Sequence, residues 1–273
     1  MKNIGTYIPY SSRFSALWRY RNFVGSMVIR EFRIRYLGSL LGSIWSILNP
    51  MAMIFIYTII FSKIMRARLS GVNDNMGFGL FLCAGLLTWG YFSELLNRCQ
   101  FIFIEQSNML KKVRFPRITL PAILFFSTTL NFAIIFGIFL IFLLITHRFP
   151  GWSILGYLPL LLIQQAFALG FGVFLGTLNV FFRDIGHFVG IILQFWFWLT
   201  PIVYPISILP EQLQSLIRIN PMAQIIISYQ NIILQNKWPV WDRLELHIAL
   251  AIVSLLLGAF IFLRLSGDIV DEL

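Results

Sequence analysis

Long apolar runs recur along this chain, and most are at least as long as a helix needs to cross a membrane. They cover residues 38–61, 77–96, 118–146, 154–182, a run from about 187 to Pro201 or Pro205, and 246–265. A helix crosses the hydrocarbon core with about 20 apolar residues. Only 12% of the 273 residues are charged, about half the usual share in a soluble domain. The sequence therefore predicts an all-α integral membrane protein with six transmembrane helices.

The basic residues predict how the helices are oriented. The formal net charge is +10, and most of it lies in short segments between apolar runs. That placement indicates contact with anionic membrane lipids rather than with nucleic acid. With a cytoplasmic N-terminus, the inner segments hold twice as many Lys and Arg residues as the outer ones, although the group at 63–68 opposes the trend. We therefore expect both termini in the cytoplasm.

The residues before the first run have a different pattern, which divides the single transmembrane domain (1–273) into three parts. Residues 12–36 combine an apolar stripe with several arginines, and Ser12 is a suitable N-cap. Such a segment is typical of an interfacial helix lying on the membrane surface, although a solvated basic leader is the alternative. We expect a cytoplasmic interfacial region at 1–37, the six spans within 38–265, and a cytoplasmic tail at 266–273.

Two shorter helices are predicted between the fifth and sixth spans. Pro210-Glu211 is a typical helix start, and Asn220-Pro221 ends that helix. A second helix is expected at 222–234. Each has roughly 9 to 13 residues, which is too short to cross a bilayer. We expect a re-entrant pair in the outer leaflet, with distorted seventh and eighth spans as the alternative.

The sequence lacks the usual residues of an ion-driven pump, an ATPase or a hydrolase. No acidic or basic residue lies near the middle of a predicted span, whereas ion-coupled transporters mark their pathway with such groups. The chain has no G-x-x-x-x-G-K-[ST], H-E-x-x-H or G-x-S-x-G motif. The three histidines lie near membrane boundaries, where an interfacial role is expected rather than metal binding. We predict that the chain is not an enzyme and binds no cofactor or metal itself.

Aromatic residues make up 16% of the chain, and several lie deep within the spans. Sugar rings pack their C–H faces on aromatic rings, and Tyr and Trp add a hydrogen-bonding edge. An aromatic-lined, charge-free channel would therefore suit a long hydroxylated chain, although packing and lipid contact are the alternative roles for each residue. The candidate channel residues are Tyr57, Trp89, Tyr91, Phe92, Phe195, Trp196 and Trp198.

Five short strings of residues, in a fixed order along the chain, resemble a known family. They are residues 45–50 (WSILNP) with Tyr57 and Phe61, 111–116 (KKVRFP), 181–185 (FFRDI), 201–205 (PIVYP) and 219–221 (INP). Together they are similar to the membrane subunits of ABC-2 type transporters, especially exporters of O-antigen, capsular polysaccharide and teichoic acid.

The resemblance implies a homodimer in the bacterial cytoplasmic (inner) membrane, with two copies of a separate ATPase subunit that binds ATP and Mg²⁺. The substrate would be a lipid-linked polysaccharide. Related subunits export drugs or lipids, and a membrane enzyme acting on lipid-linked sugars is a further alternative. The strings at 111–116 and 201–205 favour polysaccharide export.

The resemblance also implies roles for individual residues. It places an ATPase-coupling helix at about 106–117 and an outer gate at 205–235. The coupling candidates are Glu31, Asn108, Lys111, Lys112, Arg114, Phe115 and Pro116, and the gate candidates are Tyr204, Pro205, Asn220 and Pro221.

Overall fold

The computed structural model describes residues 18–36, 44–59, 76–112 and 115–272, and its regular elements are all helical. No β-strand occurs in these ranges, so the predicted all-α fold is confirmed. The helices are α1 (Arg21–Tyr36), α2 (Trp45–Ile59), α3 (Gly77–Glu105), α4 (Ser107–Lys112), α5 (Thr119–Ile145), α6 (Tyr157–Phe181), α7 (Asp184–Leu199), α8 (Glu211–Ile219), α9 (Ala223–Gln235), α10 (Glu245–Leu265) and α11 (Ile269–Glu272).

Four helices among the described residues are long and apolar enough to cross a membrane. They are α3, α5, α10, and α6 together with the 3₁₀ turn that leads into it, Gly151–Gly156. Helices α2 and α7 are apolar but have only 15 and 16 residues. The predicted first span also extends at both ends beyond the described residues. The structure therefore supports a multi-pass helical membrane protein with four candidate spans.

Helix α3 occupies the centre of the molecule. In its most apolar stretch 72% of the residues are buried, against 28% in the corresponding stretches of α5 and α10. It packs against α2, α5, α6, α7 and α9. The outer helices expose leucine, isoleucine and phenylalanine side chains, as expected where the solvent is lipid.

Prolines and one left-handed residue set the helix ends between α7 and α10. Helix α7 ends before Pro201, and Thr200 is already extended there. Helix α8 follows Pro210 and stops before Asn220, as the sequence predicted. Helix α9 ends at Gln235, and the next residue, Asn236, has a φ of 55°, the left-handed geometry common after a helix. Both short helices thus form at the predicted places.

Helix α1 corresponds to the described part of the predicted interfacial helix. Val24 and Val28 are buried, and the helix packs against α5. Its arginines Arg30 and Arg33 are exposed. The proposed N-cap, Ser12, lies outside the described residues. Ile29 and Ile34 are exposed as well, so apolar and basic residues share the exposed surface of α1, and its interfacial position stays a prediction.

Candidate functional site

An open groove of about 740 Å³ lies between α3 and α7. Both helices contribute neutral polar side chains to it. On α3 the polar residues are spaced i, i+4 and i+7, which places them on one face of the helix. The polar residues lining the groove are Ser93, Asn97 and Gln100 from α3 and His187 and Gln194 from α7.

A chain of amide hydrogen bonds fixes one end of this groove. The Gln100 side chain donates from Nε2 to Asn97 Oδ1 at 2.8 Å. Asn179, at the end of α6, donates from Nδ2 to the backbone carbonyl of Gln100 at 2.9 Å. Its Oδ1 accepts the backbone N–H of Gly186 at 3.0 Å. Asn179 therefore joins α3 to the first turn of α7 and sets the width of the groove there.

Four aromatic residues line the groove, and three of them, Trp89, Phe197 and Trp198, contact one another. Trp89 meets Phe197 edge to face, with ring centroids 5.9 Å apart. Phe197 meets Trp198 in the same way at 5.2 Å. Trp198 remains 64% exposed, so its ring is accessible. Two of the predicted channel residues, Trp89 and Trp198, thus lie along one surface that also carries neutral polar groups.

Two other predicted channel residues, Phe92 and Trp196, lie in a packed aromatic cluster. Their ring centroids are 5.4 Å apart, and Phe92 is fully buried. Trp196 also packs edge to face on Phe167 at 6.2 Å, while its indole N–H donates to Asn220 Oδ1 at 2.7 Å. These contacts give both residues a packing role inside the subunit, and a channel role for them stays a prediction.

The remaining three channel candidates lie apart from the groove. Tyr91 is buried, and its hydroxyl accepts a hydrogen bond from Gln165 Nε2 at 2.7 Å. Tyr57 lines a smaller cavity of about 170 Å³ that also touches α3 and α5. Phe195 is 67% exposed on α7. None of these three residues therefore lines the groove.

Asn220 connects the end of α7 to the beginning of α9. Its Nδ2 donates to the Leu199 carbonyl at 3.1 Å and to Thr200 Oγ1 at 3.0 Å. Its Oδ1 accepts the Met222 backbone N–H at 2.9 Å in addition to the Trp196 indole. A helix end leaves carbonyls without intrahelical partners, and in an apolar medium each must find another donor. Asn220 supplies one, which gives the Asn-Pro motif a physical reason.

Two further side chains complete this arrangement. Tyr204 donates its hydroxyl proton to the Trp198 carbonyl at 3.0 Å. Gln230, buried on α9, donates to the Pro201 carbonyl at 3.1 Å. Of the gate candidates, Tyr204 and Asn220 therefore bind the broken end of α7, while Pro205 and Pro221 occupy the turns beside them. The structure brings these residues together, and gating by them stays a prediction.

A cluster of charged residues ties α1 to α3 and α5. Arg98 Nη2 lies 2.6 Å from Glu31 Oε2. Ser127 donates its hydroxyl proton to the same oxygen at 2.6 Å and accepts from Arg98 Nη1 at 2.8 Å. These three residues, one from each helix, form a closed triangle.

A second layer repeats this arrangement one helical turn away. Arg35 Nη2 lies 2.6 Å from Glu94 Oε1, and Asn131 donates to Glu94 Oε2 at 3.1 Å. Each of the three helices contributes residues spaced i, i+4, so that one face of each helix serves both layers. We call these six residues the charge clamp: Glu31, Arg35, Glu94, Arg98, Ser127 and Asn131.

The predicted coupling residues divide between the short helix α4 and the charge clamp. Asn108, Lys111 and Lys112 are exposed on α4, while Leu110 is buried beneath them. Glu31 is bound within the charge clamp. Arg114 lies outside the described residues.

The chain beyond α4 is also held in place. Phe115 packs against Phe23 of α1, with ring centroids 5.7 Å apart, and Pro116 accepts a hydrogen bond from the Thr119 hydroxyl at 2.8 Å. Helix α11 lies against α4, and its Ile269 is fully buried. Helix α4 is thus docked on the body of the protein, as a segment that transmits force must be.

Several residues of these sites were not identified from the sequence. The polar stripe of Ser93, Asn97 and Gln100 has a visible i, i+4, i+7 spacing that could have been recognised. Asn179 and Gln194 are polar residues between apolar neighbours in α6 and α7, and only the packing of these helices around α3 gives them a place. The sequence signal for them was therefore polarity alone.

The sequence is similar to those of several known transport proteins. The model of the family described as ABC-2 type transporter matches residues 23–234. The chain is 33% identical to the O-antigen export system permease protein RfbA of Myxococcus xanthus over 90% of this chain and 93% of that protein. It is 30% identical to a protein of the same name from Klebsiella pneumoniae, over 87% and 89%. A polysialic acid transport protein of Escherichia coli, KpsM, is 26% identical over 74% and 78%.

Proposed function

Since this chain belongs to the ABC-2 type transporter family, we propose that it is the membrane subunit of an ATP-driven exporter of a lipid-linked polysaccharide such as O-antigen. The observation that carries the proposal is the groove between α3 and α7. Its aromatic faces and neutral polar groups match the two surfaces of a sugar, the C–H face and the hydroxyl rim. The proteins named as O-antigen export permeases support the same substrate class.

We infer six crossings of the bacterial cytoplasmic membrane by α2, α3, α5, α6, α7 and α10, with both termini in the cytoplasm. The end of α7 before Pro201 supports this topology, because α8 and α9 then lead the chain to α10 without a full crossing. Helices α8 and α9 have 9 and 13 residues, lengths that suit a re-entrant pair in the outer leaflet.

A second copy of the chain completes the pathway in this proposal. The groove is open along one side, and the outer face of α7 exposes Phe188, Ile191 and Phe195. Two such subunits facing each other would enclose the grooves and cover these apolar surfaces. The channel would then be shared between the two copies of a homodimer.

The energy comes from a separate ATPase subunit in this proposal, with ATP and Mg²⁺ bound there. Helix α4 is the docking element for that subunit because it is short, basic and packed on the body of the protein. The export of drugs or other lipids by the same fold is the alternative. It would leave the neutral polar stripe of the groove without a substrate group to bind.

Depletion of the chain in its own cells tests the proposed function. Surface polysaccharide should fall while lipid-linked polymer accumulates inside the cell, and re-expression should reverse both effects. Unchanged surface polymer, together with loss of export of a small drug or lipid, would replace the proposal with its alternative.

Reversing the charges of α4 should break the link to the ATPase subunit. We expect Lys111→Glu/Lys112→Glu to lower polymer export at least about tenfold, because docking surfaces depend on complementary charge. Both side chains are exposed, so the chain should still fold and insert. Co-purification of the ATPase subunit and surface polymer measure the effect. Lys237→Glu, an exposed lysine remote from α4 in sequence, serves as the control, and equal export by both variants would remove the coupling role.

Two neighbouring tryptophans should respond differently to the same substitution. Trp198→Leu should leave the melting temperature nearly unchanged but lower polymer export, because its exposed ring lines the groove. Trp196→Leu should lower the melting temperature, since it removes an indole hydrogen bond worth about 1 kcal/mol and a packed ring. Thermal unfolding in detergent and surface polymer measure the two effects. Wild-type export by Trp198→Leu would leave that ring with no role beyond lipid contact.

A further inference from the structure

The groove between α3 and α7 carries hydrogen-bonding groups but no formally charged side chain of the acidic, lysine or arginine type. Its polar groups are a hydroxyl, three amides and an imidazole, from Ser93, Asn97, Gln100, Gln194 and His187. No Asp, Glu, Lys or Arg is among the described residues that line it. The groove therefore offers hydrogen bonds and aromatic faces without a fixed counter-charge.

The two charged residues that α3 carries beside the polar stripe are bound on another side of the helix. Glu94 and Arg98 follow Ser93 and Asn97 by one position, which turns them about 100° around the helix axis. Both are engaged by the charge clamp, with ion pairs to α1 at 2.6 Å. Both charged groups next to the polar stripe are thus directed away from the groove.

A buried acceptor on the groove wall also points to a ligand that donates hydrogen bonds. Gln100 is fully buried and uses Nε2 on Asn97. Its Oε1 has no hydrogen-bond partner among the described residues, and a buried carbonyl oxygen without a donor is costly. A sugar hydroxyl would satisfy this oxygen once a shift of the groove wall uncovers it, whereas a carboxylate or phosphate diester oxygen has no proton to give.

We infer that the polymer moved along this groove is uncharged, an inference that rests on the proposed export function. A charged group entering this groove would exchange its hydration for neutral amide and hydroxyl groups and an imidazole, with no Asp, Glu, Lys or Arg among the described lining residues to balance its charge. A neutral hydroxylated chain exchanges hydrogen bonds with water for bonds to amides, and its ring faces pack on the exposed indole of Trp198. The repeat unit of the polymer therefore carries neither a carboxylate nor a phosphate.

The polymer itself provides the first test. Depletion of the chain should cause lipid-linked polymer to accumulate, and the glycan released from its lipid by mild acid should pass through an anion-exchange column unretained. A retained polymer, with about one acidic group per repeat by composition, would overturn the inference while the export function stands. If no polymer accumulates and surface glycan is unchanged, the export function fails, and the inference fails with it.

A matched pair of substitutions provides the second test. Gln194 is exposed in the groove, so that Gln194→Glu and Gln194→Lys should both fold. With an uncharged polymer the two variants should export at rates within about twofold of each other, a difference of less than 0.5 kcal/mol. If Gln194→Lys exported the polymer at least about tenfold faster than Gln194→Glu, the polymer would be an anion and the inference wrong.

Discussion

Replacing Gly258 by valine should prevent the chain from accumulating in the membrane. Gly258 of α10 faces the backbone of Gly170 on α6, and a Cβ on either residue would overlap backbone atoms of the other helix. The contact is tightened by Ser254, which donates to the Phe167 carbonyl at 3.3 Å. Small residues let membrane helices approach this closely, and α6–α10 is an extensive helix interface of the structure. Because backbone atoms cannot move aside as a side chain can, the helices would have to separate.

We expect Gly258→Val to lower the free energy of unfolding by more than about 4 kcal/mol, a value that only severe changes in the core reach. Gly137→Val on α5 is the matched control, since a Cβ there meets nothing within 4 Å. The amount of protein in the membrane fraction and its melting temperature in detergent measure the difference. A Gly258→Val protein that is as abundant and as stable as Gly137→Val would show that α6 and α10 are not packed in this way.

The glycines illustrate which contacts a single sequence can reveal. Gly172 and Gly176, four residues apart, form a visible close-packing pattern, and the structure packs both against Cys99 of α3. Gly170 and Gly258 are 88 residues apart on different helices, so no local pattern relates them. Their partnership depends on the register of two helices, which is set by the whole bundle.

The same distinction applies to the candidate sites. The helices α8 and α9 were predicted correctly because proline and asparagine act locally on the backbone. The role of Asn220 was not, because its partners lie on α7 and α9 and become neighbours only when the chain turns back. The spread of aromatic residues along the chain likewise could not separate Trp198, which lines the groove, from Phe92, which is fully buried.

The acidic residue Glu31 on the basic helix α1 is compatible with two roles, contact with a partner protein and an ion pair within the chain. As an acid on a basic amphipathic helix, it was expected to contact an ATPase partner. The structure instead places it against Arg98 and Ser127 of its own chain. Its predicted coupling role is still untested, but the contact suggests an indirect form of it. Helix α1 is fixed to the two helices, α3 and α5, between which α4 is inserted.

Loss of the Glu31–Arg98 pair should therefore uncouple ATP hydrolysis from export. If the ATPase subunit pushes on α4 as we propose, α3 and α5 would be displaced, and the charge clamp would make α1 move with them. The pair is only partly exposed, at 27% for Arg98 and 22% for Glu31. Its hydrogen bonds to charged groups then contribute roughly 1.5–3 kcal/mol before screening by solvent. We expect Arg98→Gln to lower polymer export at least about tenfold while the ATPase subunit still binds and hydrolyses ATP.

A double-mutant cycle distinguishes this linkage from a general loss of stability. Glu31→Gln and Arg98→Gln should each reduce export, and the double variant should be no worse than the more severe single one, because both remove the same pair. Arg33→Gln, an exposed arginine on the same helix, is the matched control and should export normally. Export and ATP hydrolysis by the whole complex in membrane vesicles are measured together. If the two single effects simply add, or if ATP hydrolysis decreases by the same factor as export, this pair does not link α1 to the movement of α4.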